Sequence, residues 1–379
     1  MIVEVRNVHH RNKGAELMLR AMVDHYAGRT DVTLVGSHRV GKPKQLKALG
    51  LKQLLYVHRN RGFHVPPTNL PPAGVRASLN LVHPTEVDVV LDAAGFAYGD
   101  QWGTDRAVLA TKYYRYMRKH GAKIVLMPMS LGPFTDPDVV RTARELFAQV
   151  DLVFPRDDTA AAAIRDLLGD DAKIHQAPDF TPLMKGTDGP ALPPGDKPAA
   201  IIPNRKMVQK GGLTEREYVV FLAEVVRAFR ALGYTPFALP HATFDHQLAE
   251  AVRTEAGGDL PILVEPDALK LKGVISRCHA IFSSRFHGLV SGLCQEVPVI
   301  ATGWSHKYRH LLDEYGCPEA LVDAKEPGAL QAAVDALLVE PHYAATKATL
   351  ADRAAWAREQ SRLMWARVDA LVEGAGEGA

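Results

Sequence analysis

Cysteine is scarce and unarranged. Cys278, Cys294 and Cys317 are the only three in 379 residues, an odd set without close pairing. That argues against a disulfide framework or a zinc site and suits reduced thiols. No apolar run is as long as a membrane span, and Met1-Ile2-Val3-Glu4-Val5 reads as a first strand rather than a leader. A cytoplasmic protein is therefore expected, or one at the inner face of the membrane. No G-x-G-x-x-G follows the first strand, so a dinucleotide is not indicated. No His/Asp/Glu cluster has metal-ligand spacing, and no metal or cofactor is expected. The formal net charge is only +2, so no global field argues for nucleic acid.

One absence is local. From Val32 to Thr85 there is no Asp or Glu, while Arg39, Lys42, Lys44, Lys47, Lys52, Arg59, Arg61 and Arg76 accumulate. Pro66-Pro67 and Pro71-Pro72 make part of this stretch irregular. Residues 36–85 suggest a basic flap over an anionic substrate, or peripheral contact with a membrane face carrying anionic lipid. The plainer reading for most of these residues is a solvated, mobile loop.

What remains is ordinary and long enough for two domains. Strand, glycine turn and helix open the chain: Ile2-Val3-Glu4-Val5, then Asn12-Lys13-Gly14, then Ala15 to Val23 at helical spacing. Further strands are expected at Val32–Val35, Asp88–Asp92, Lys123–Ser130 and Asp151–Pro155, with helices between them, the last of these capped by Asp158 or Thr159. Gly186, Gly189, Pro190, Pro193, Pro194, Gly195 and Pro198 mark a linker. A second α/β pattern follows, with strands at Ala199–Pro203, Thr235–Pro240, Ile262–Val264, Ala280–Phe282 and Val297–Ala301. Helices are expected over Glu215–Leu232, about Asp245–Thr254 and Leu269–Cys278, and from about His342 to Val372. The expected architecture is α/β, with two Rossmann-like domains facing a cleft. Residues 1–185 form the N-terminal domain on the acceptor side, 186–198 the linker and 199–341 the C-terminal domain. A C-terminal helix and tail occupy 342–379.

The stretch that organises the reading is Ser283-Ser284-Arg285-Phe286-His287-Gly288-Leu289, where a strand ends and a helix begins. Open α/β sheets hold ligands at such edges, with helix N–H groups facing an anion. An arginine there can grip phosphate or carboxylate in a fork, and a histidine can move a proton. The same pair also has a structural reading, as a cap and a space-filling ring. Other expected strand ends carry Gly14 and Glu16, Gly95, Ser130, Asn204 and Arg205, and His241; these converge if both sheets point at one cleft.

These residues carry a resemblance. Ser284-Arg285-Phe286-His287-Gly288-Leu289, followed by Val297-Pro298-Val299-Ile300 and Lys307, is similar to the C-terminal signature of the polysaccharide pyruvyl transferase family. Asn12-Lys13-Gly14-Ala15-Glu16 resembles its N-terminal glycine turn, with Ala15 where Asp is frequent. Ala93-Ala94-Gly95, Ser130-Leu131-Gly132-Pro133-Phe134, Arg156-Asp157 and Pro178-Asp179 resemble further landmarks in the same order. The match extends from about residue 7 to residue 315; the basic segment and the C-terminal helix lie outside its motifs.

The resemblance implies a fold like that of GT-B glycosyltransferases and phosphoenolpyruvate as the donor substrate. It also implies transfer of the pyruvyl group to hydroxyls of a sugar-containing acceptor, commonly as a cyclic ketal, with release of phosphate. Arg285 and His287 would contact the donor, and Arg205 is the candidate second arginine. His287 would be the acid or base, with Glu16 as the acceptor hydroxyl's partner. Asn204, Lys307, His241, Phe286, Gly14, Gly95 and Ser130 would complete the binding surface. The acceptor is expected to be lipid-linked or anionic. Two other classes fit the same sequence: a GT-B-type nucleotide-sugar glycosyltransferase, and a non-catalytic binder of anionic glycans.

Overall fold

A computed structural model of the chain describes residues 1–10, 12–55, 57–59, 63–65 and 72–376. Residues 1–10, 18–180 and 360–379 form one compact unit, and residues 11–17 and 181–359 form a second.

The first unit is built on a parallel sheet. Its strands are β1 (Ile2–Arg6), β2 (Thr33–Gly36), β3 (Lys52–Leu54), β6 (Leu81–Val82), β7 (Val89–Asp92), β8 (Phe96–Tyr98), β9 (Lys123–Leu131) and β10 (Leu152–Pro155). The order runs β10-β9-β7-β1-β2-β3-β6, with β8 beside β9. A separate antiparallel hairpin joins β4 (Val57–Arg59) and β5 (Phe63–Val65). The connections carry α1 (Lys13–His25), α2 (Pro43–Ala48), α3 (Ala73–Ser78), α4 (Asp105–Lys119), α5 (Pro137–Phe147) and α6 (Asp158–Leu168). Strands such as Val89-Val90-Leu91 are apolar without alternation because helices cover both faces of a parallel sheet. Asp157, not Asp158 or Thr159, caps α6: it sits one residue outside the helix, where its carboxylate accepts from the Ala160 N–H at 2.8 Å.

The basic stretch is more regular than a solvated loop. Its described residues include two short crossover helices and strands β3 and β6, because apolar Leu46, Leu51, Leu54 and Val82 are buried among the cations.

The second unit holds a four-stranded parallel sheet of order β12-β11-β13-β14. Its elements are β11 (Pro198–Ile202), α7 (Lys206–Lys210), α8 (Glu215–Ala231), β12 (Thr235–Ala238), α9 (Thr243–Glu255), α10 (Ala268–Ser276), β13 (Ala280–Ser283), α11 (Phe286–Leu293), β14 (Val299–Ala301), α12 (Lys307–Glu314), α13 (Ala329–Leu337) and α14 (His342–Gly376). Thr214 and Glu217 close a capping box at the start of α8. The strand expected at Ile262–Val264 reduces to a single bridge between Ala238 and Ile262; Pro261 has no N–H to extend the ladder. The Gly/Pro-rich residues 186–197 run as irregular chain, with Gly186 and Gly189 pressed so closely on α10 that a Cβ on either would meet its backbone.

Both sheets reverse strand order beside their first strand: between β1 and β7 in the first unit, and between β11 and β13 in the second. Open α/β sheets bind ligands at the carboxyl ends of such switch points. The architecture is α/β with two Rossmann-like domains.

Candidate active site

In the second unit the switch point lies between Asn204, two residues past β11, and Ser284-Arg285, just past β13. The turn there is clamped. The Ser284 carbonyl accepts from Asn204 Nδ2 at 2.7 Å and from the Tyr308 hydroxyl at 2.9 Å. Tyr218 donates to Ser284 Oγ at 2.6 Å and accepts the Asn204 N–H at 3.0 Å. Burial raises both phenols well above the ordinary tyrosine value, which keeps them as donors. Ser283 Oγ accepts the Arg285 N–H at 3.0 Å, and a Cβ on Gly288 would overlap that oxygen. Arg285 is thus held in extended conformation at the N-cap of α11.

Asp245 orients the Arg285 side chain. Its carboxylate is fully buried, pairs with Arg285 through Nη2 and accepts the Arg205 N–H at 3.1 Å. Burial pushes the Asp245 pKa up, while the guanidinium and the amide draw it back. Arg285 Nε is buried and has no hydrogen-bond partner among the described residues. His241, beyond the carboxyl end of β12, is also buried, and its Nε2 has no such partner. Burial first, then the charges of Arg285, Lys13 and His287, drives the His241 pKa well below the ordinary imidazole value. The ring is neutral at pH 7.

His287 meets the N-terminal turn. A Cβ added to Gly14 would overlap the His287 ring at Nδ1, so only glycine lets the imidazole lie against that backbone. Asn12 Oδ1 holds the turn by accepting the Gly14 N–H at 2.9 Å. Phe286 stands edge-on to His287, with ring centroids 5.4 Å apart. Lys307, the first residue of α12, lies over the rings of Trp304, Phe286 and Tyr308 at 4.8–5.6 Å.

The structure therefore brings together Arg285, His287, Phe286, Asn204, His241, Gly14 and Lys307. Two of the sequence candidates are otherwise engaged. Arg205 contributes its backbone N–H, while its partly exposed guanidinium lies 3.8 Å from Glu215. Glu16 is ion-paired to Lys13 at 2.7 Å, and Lys13 also donates to the Pro266 carbonyl. Gly95 and Ser130 belong to the first unit. Gly95 has φ +71°, and Ser130 Oγ bridges Asp157 and Arg156, each at 3.0 Å.

A family model described as polysaccharide pyruvyl transferase matches residues 12–306, more than three quarters of the chain. The chain belongs to the polysaccharide pyruvyl transferase family. No curated protein sequence matches it. Solved structures share the fold at low identity. A UDP-GlcNAc 2-epimerase from Neisseria meningitidis, solved with UDP-GlcNAc, is 9% identical over 98% of this chain and 100% of its own, with a TM-score of 0.60. HepE from Anabaena, solved with UDP and glucose, is 13% identical over 98% and 99%, at 0.54. The calicheamicin glycosyltransferase CalG4 is 13% identical over 98% of each chain, at 0.53. These similarities bear on the fold, which is of the GT-B type.

This pyruvyl transferase family member has a second buried polar cluster, in its first unit, that sequence reasoning missed. At the β1/β7 switch point Arg6 lies 3.5 Å from Glu4 and 3.7 Å from Asp92, and its guanidinium stacks on Tyr113 at 3.8 Å. Tyr113 donates to Glu4, while Tyr114 and Asn7 donate to Asp92 at 2.6 and 2.7 Å. Burial raises both carboxyl pKa values, and Arg6 opposes it. Asp92 closes a strand already read as buried, and a carboxylate at such a position was the available signal. Asp245 and Tyr218 gave less, because each sits in a helix where a first-turn acid or a core aromatic is ordinary.

Proposed function

We propose that the protein transfers the pyruvyl group of phosphoenolpyruvate to hydroxyls of a sugar-containing acceptor, forming a ketal and releasing phosphate. The observation that carries the reading is the packing of His287 against Gly14 beside an Arg285 whose buried Nε has no hydrogen-bond partner among the described residues. It joins the family's two signatures within one compact unit.

Phosphoenolpyruvate is a carboxylate and a phosphate on a three-carbon enol. Arg285, fixed by Asp245, is the anion grip, and Lys307 adds positive charge near Phe286. His287 as acid delivers a proton to the methylene carbon, and positive character develops at the carbon bearing phosphate. An acceptor hydroxyl adds there and gives up its proton. A second hydroxyl then displaces phosphate, so that one enol ester and one diol become one ketal and one phosphate. Neutral His241 supplies a ring that does not compete with the donor for Arg285.

The test is phosphate release from phosphoenolpyruvate in the presence of saccharide acceptors with paired hydroxyls. Release that requires both substrates, and falls about 10²–10⁴-fold in His287→Ala, supports the assignment. Unchanged turnover in that variant removes His287 from the chemistry. The GT-B neighbours, two of them solved with UDP or UDP-GlcNAc, support a second reading as a nucleotide-sugar glycosyltransferase. Hydrolysis or transfer from UDP-sugars with inert phosphoenolpyruvate would favour it.

A further inference from the structure

The first unit has a surface that the transfer chemistry does not use. Strands β1, β2, β3 and β6 follow one another outward across the sheet. Successive crossovers in one direction, each right-handed, put their helices on the same face. Helices α2 and α3 therefore fall on one face of the sheet, toward its β3/β6 edge.

Helix α2 and the turn before it carry the cations. Arg39, Lys42, Lys44 and Lys47 are exposed, and none has a carboxylate partner among the described residues. The absence of any Asp or Glu from Val32 to Thr85 means no acidic side chain of this stretch offsets them. Arg76, on α3, is the exception: Glu86, just beyond the stretch, pairs with it at 2.5 Å.

Helix α3 carries the apolar part. None of its residues is buried, and Val75 and the C-cap residue Leu79 are 45% and 59% exposed. They are four residues apart, hence on one face and stacked along it. Large exposed apolar side chains in a row are unfavourable in water unless something covers them. Cations beside an apolar ridge are the chemistry of a surface that rests on a bilayer: charges at the headgroups, aliphatic tips below them.

We propose that α2 and α3 dock this protein on an anionic lipid bilayer, with Lys42, Lys44 and Lys47 on the headgroups and Val75 and Leu79 inserted. The docking is independent of which group the enzyme transfers.

Full-length protein is sedimented with vesicles of equimolar phosphatidylcholine and phosphatidylglycerol, and with phosphatidylcholine alone, at low and high salt. Binding to the anionic vesicles only, weakened by salt, is expected. Each lysine near the surface contributes about fivefold, so K42Q/K44Q/K47Q should bind about 100-fold more weakly. V75S/L79S should lose about tenfold or more at unchanged charge. Both variants alter exposed residues and should match the native protein in melting temperature and in affinity for phosphoenolpyruvate. No binding to anionic vesicles overturns the proposal. So does V75S/L79S binding as tightly as native protein, which would mean contact with polyanions in general.

Discussion

The two switch points are built from similar residues and differ in balance. In the first unit two buried carboxylates, Glu4 and Asp92, surround one guanidinium, and three side chains donate to them. In the second unit one buried carboxylate, Asp245, serves one guanidinium, with two imidazoles beside it and Lys13 near enough to act on His241. The first cluster is rich in negative charge and donors turned inward. The second also holds a buried His241 Nε2 without a hydrogen-bond partner among the described residues. A small anion with several oxygens fits the second balance and is repelled by the first. Sheet topology alone would nominate both positions; charge balance separates them.

Deleting the carboxylates breaks the comparison most severely. Asp245→Ala leaves Arg285 partly buried without its partner and should cost about 3–5 kcal/mol of stability, read by denaturant melts, together with affinity for phosphoenolpyruvate. Asp92→Ala should also destabilise, by about 1–3 kcal/mol for each buried donor left unsatisfied, while donor affinity in the surviving folded protein stays as in the native chain. Equal loss of donor affinity in both would remove the distinction.

A smaller effect is expected from Gly14→Ala. The added methyl displaces the His287 ring, and a misplaced catalytic group costs up to about 10²-fold. Steady-state kinetics should show kcat falling more than donor KM rises. An unchanged kcat would mean that the His287 position against this turn is not used.

The smallest is a pH effect. His241 is held neutral in the fold while an unfolded histidine titrates near about 6.5. Below that pH the unfolded state binds the extra proton, so this group's contribution to stability is lost as pH falls through about 6.5 and below. His241→Gln should therefore lose less stability than the native protein between pH 7 and pH 5 (roughly the window in which an unfolded histidine protonates). Parallel melting curves for the two proteins across that range would contradict it.

Much of this was legible in the sequence. The strand–helix alternation, the Arg285–His287 turn and the Gly14 turn each follow from periodicity and residue type, and they coincide with the elements observed. Two things were not. Which partner a charged side chain takes is not settled by residue type alone: Lys13, three residues before Glu16, pairs with it, and the Arg205 guanidinium lies 3.8 Å from Glu215. Buried groups inside apparently regular elements were also hidden. Glu4 alternates with Val3 and Val5 like any outward strand residue, yet it is fully buried. The described part of residues 36–85 escaped for the opposite reason: high positive charge masked the core side chains Leu46, Leu51, Leu54 and Val82.

The central claim is that the Arg285 turn of the second unit is an anion site for phosphoenolpyruvate. Calorimetric titration of the native protein and Arg285→Ala with phosphoenolpyruvate, and of the native protein with UDP, tests it most directly. The account predicts saturable heat with phosphoenolpyruvate, an affinity about 10–100-fold weaker in Arg285→Ala, as befits a lost charge-assisted hydrogen bond, and no heat with UDP. Equal affinity in both proteins, or heat with UDP alone, would contradict it.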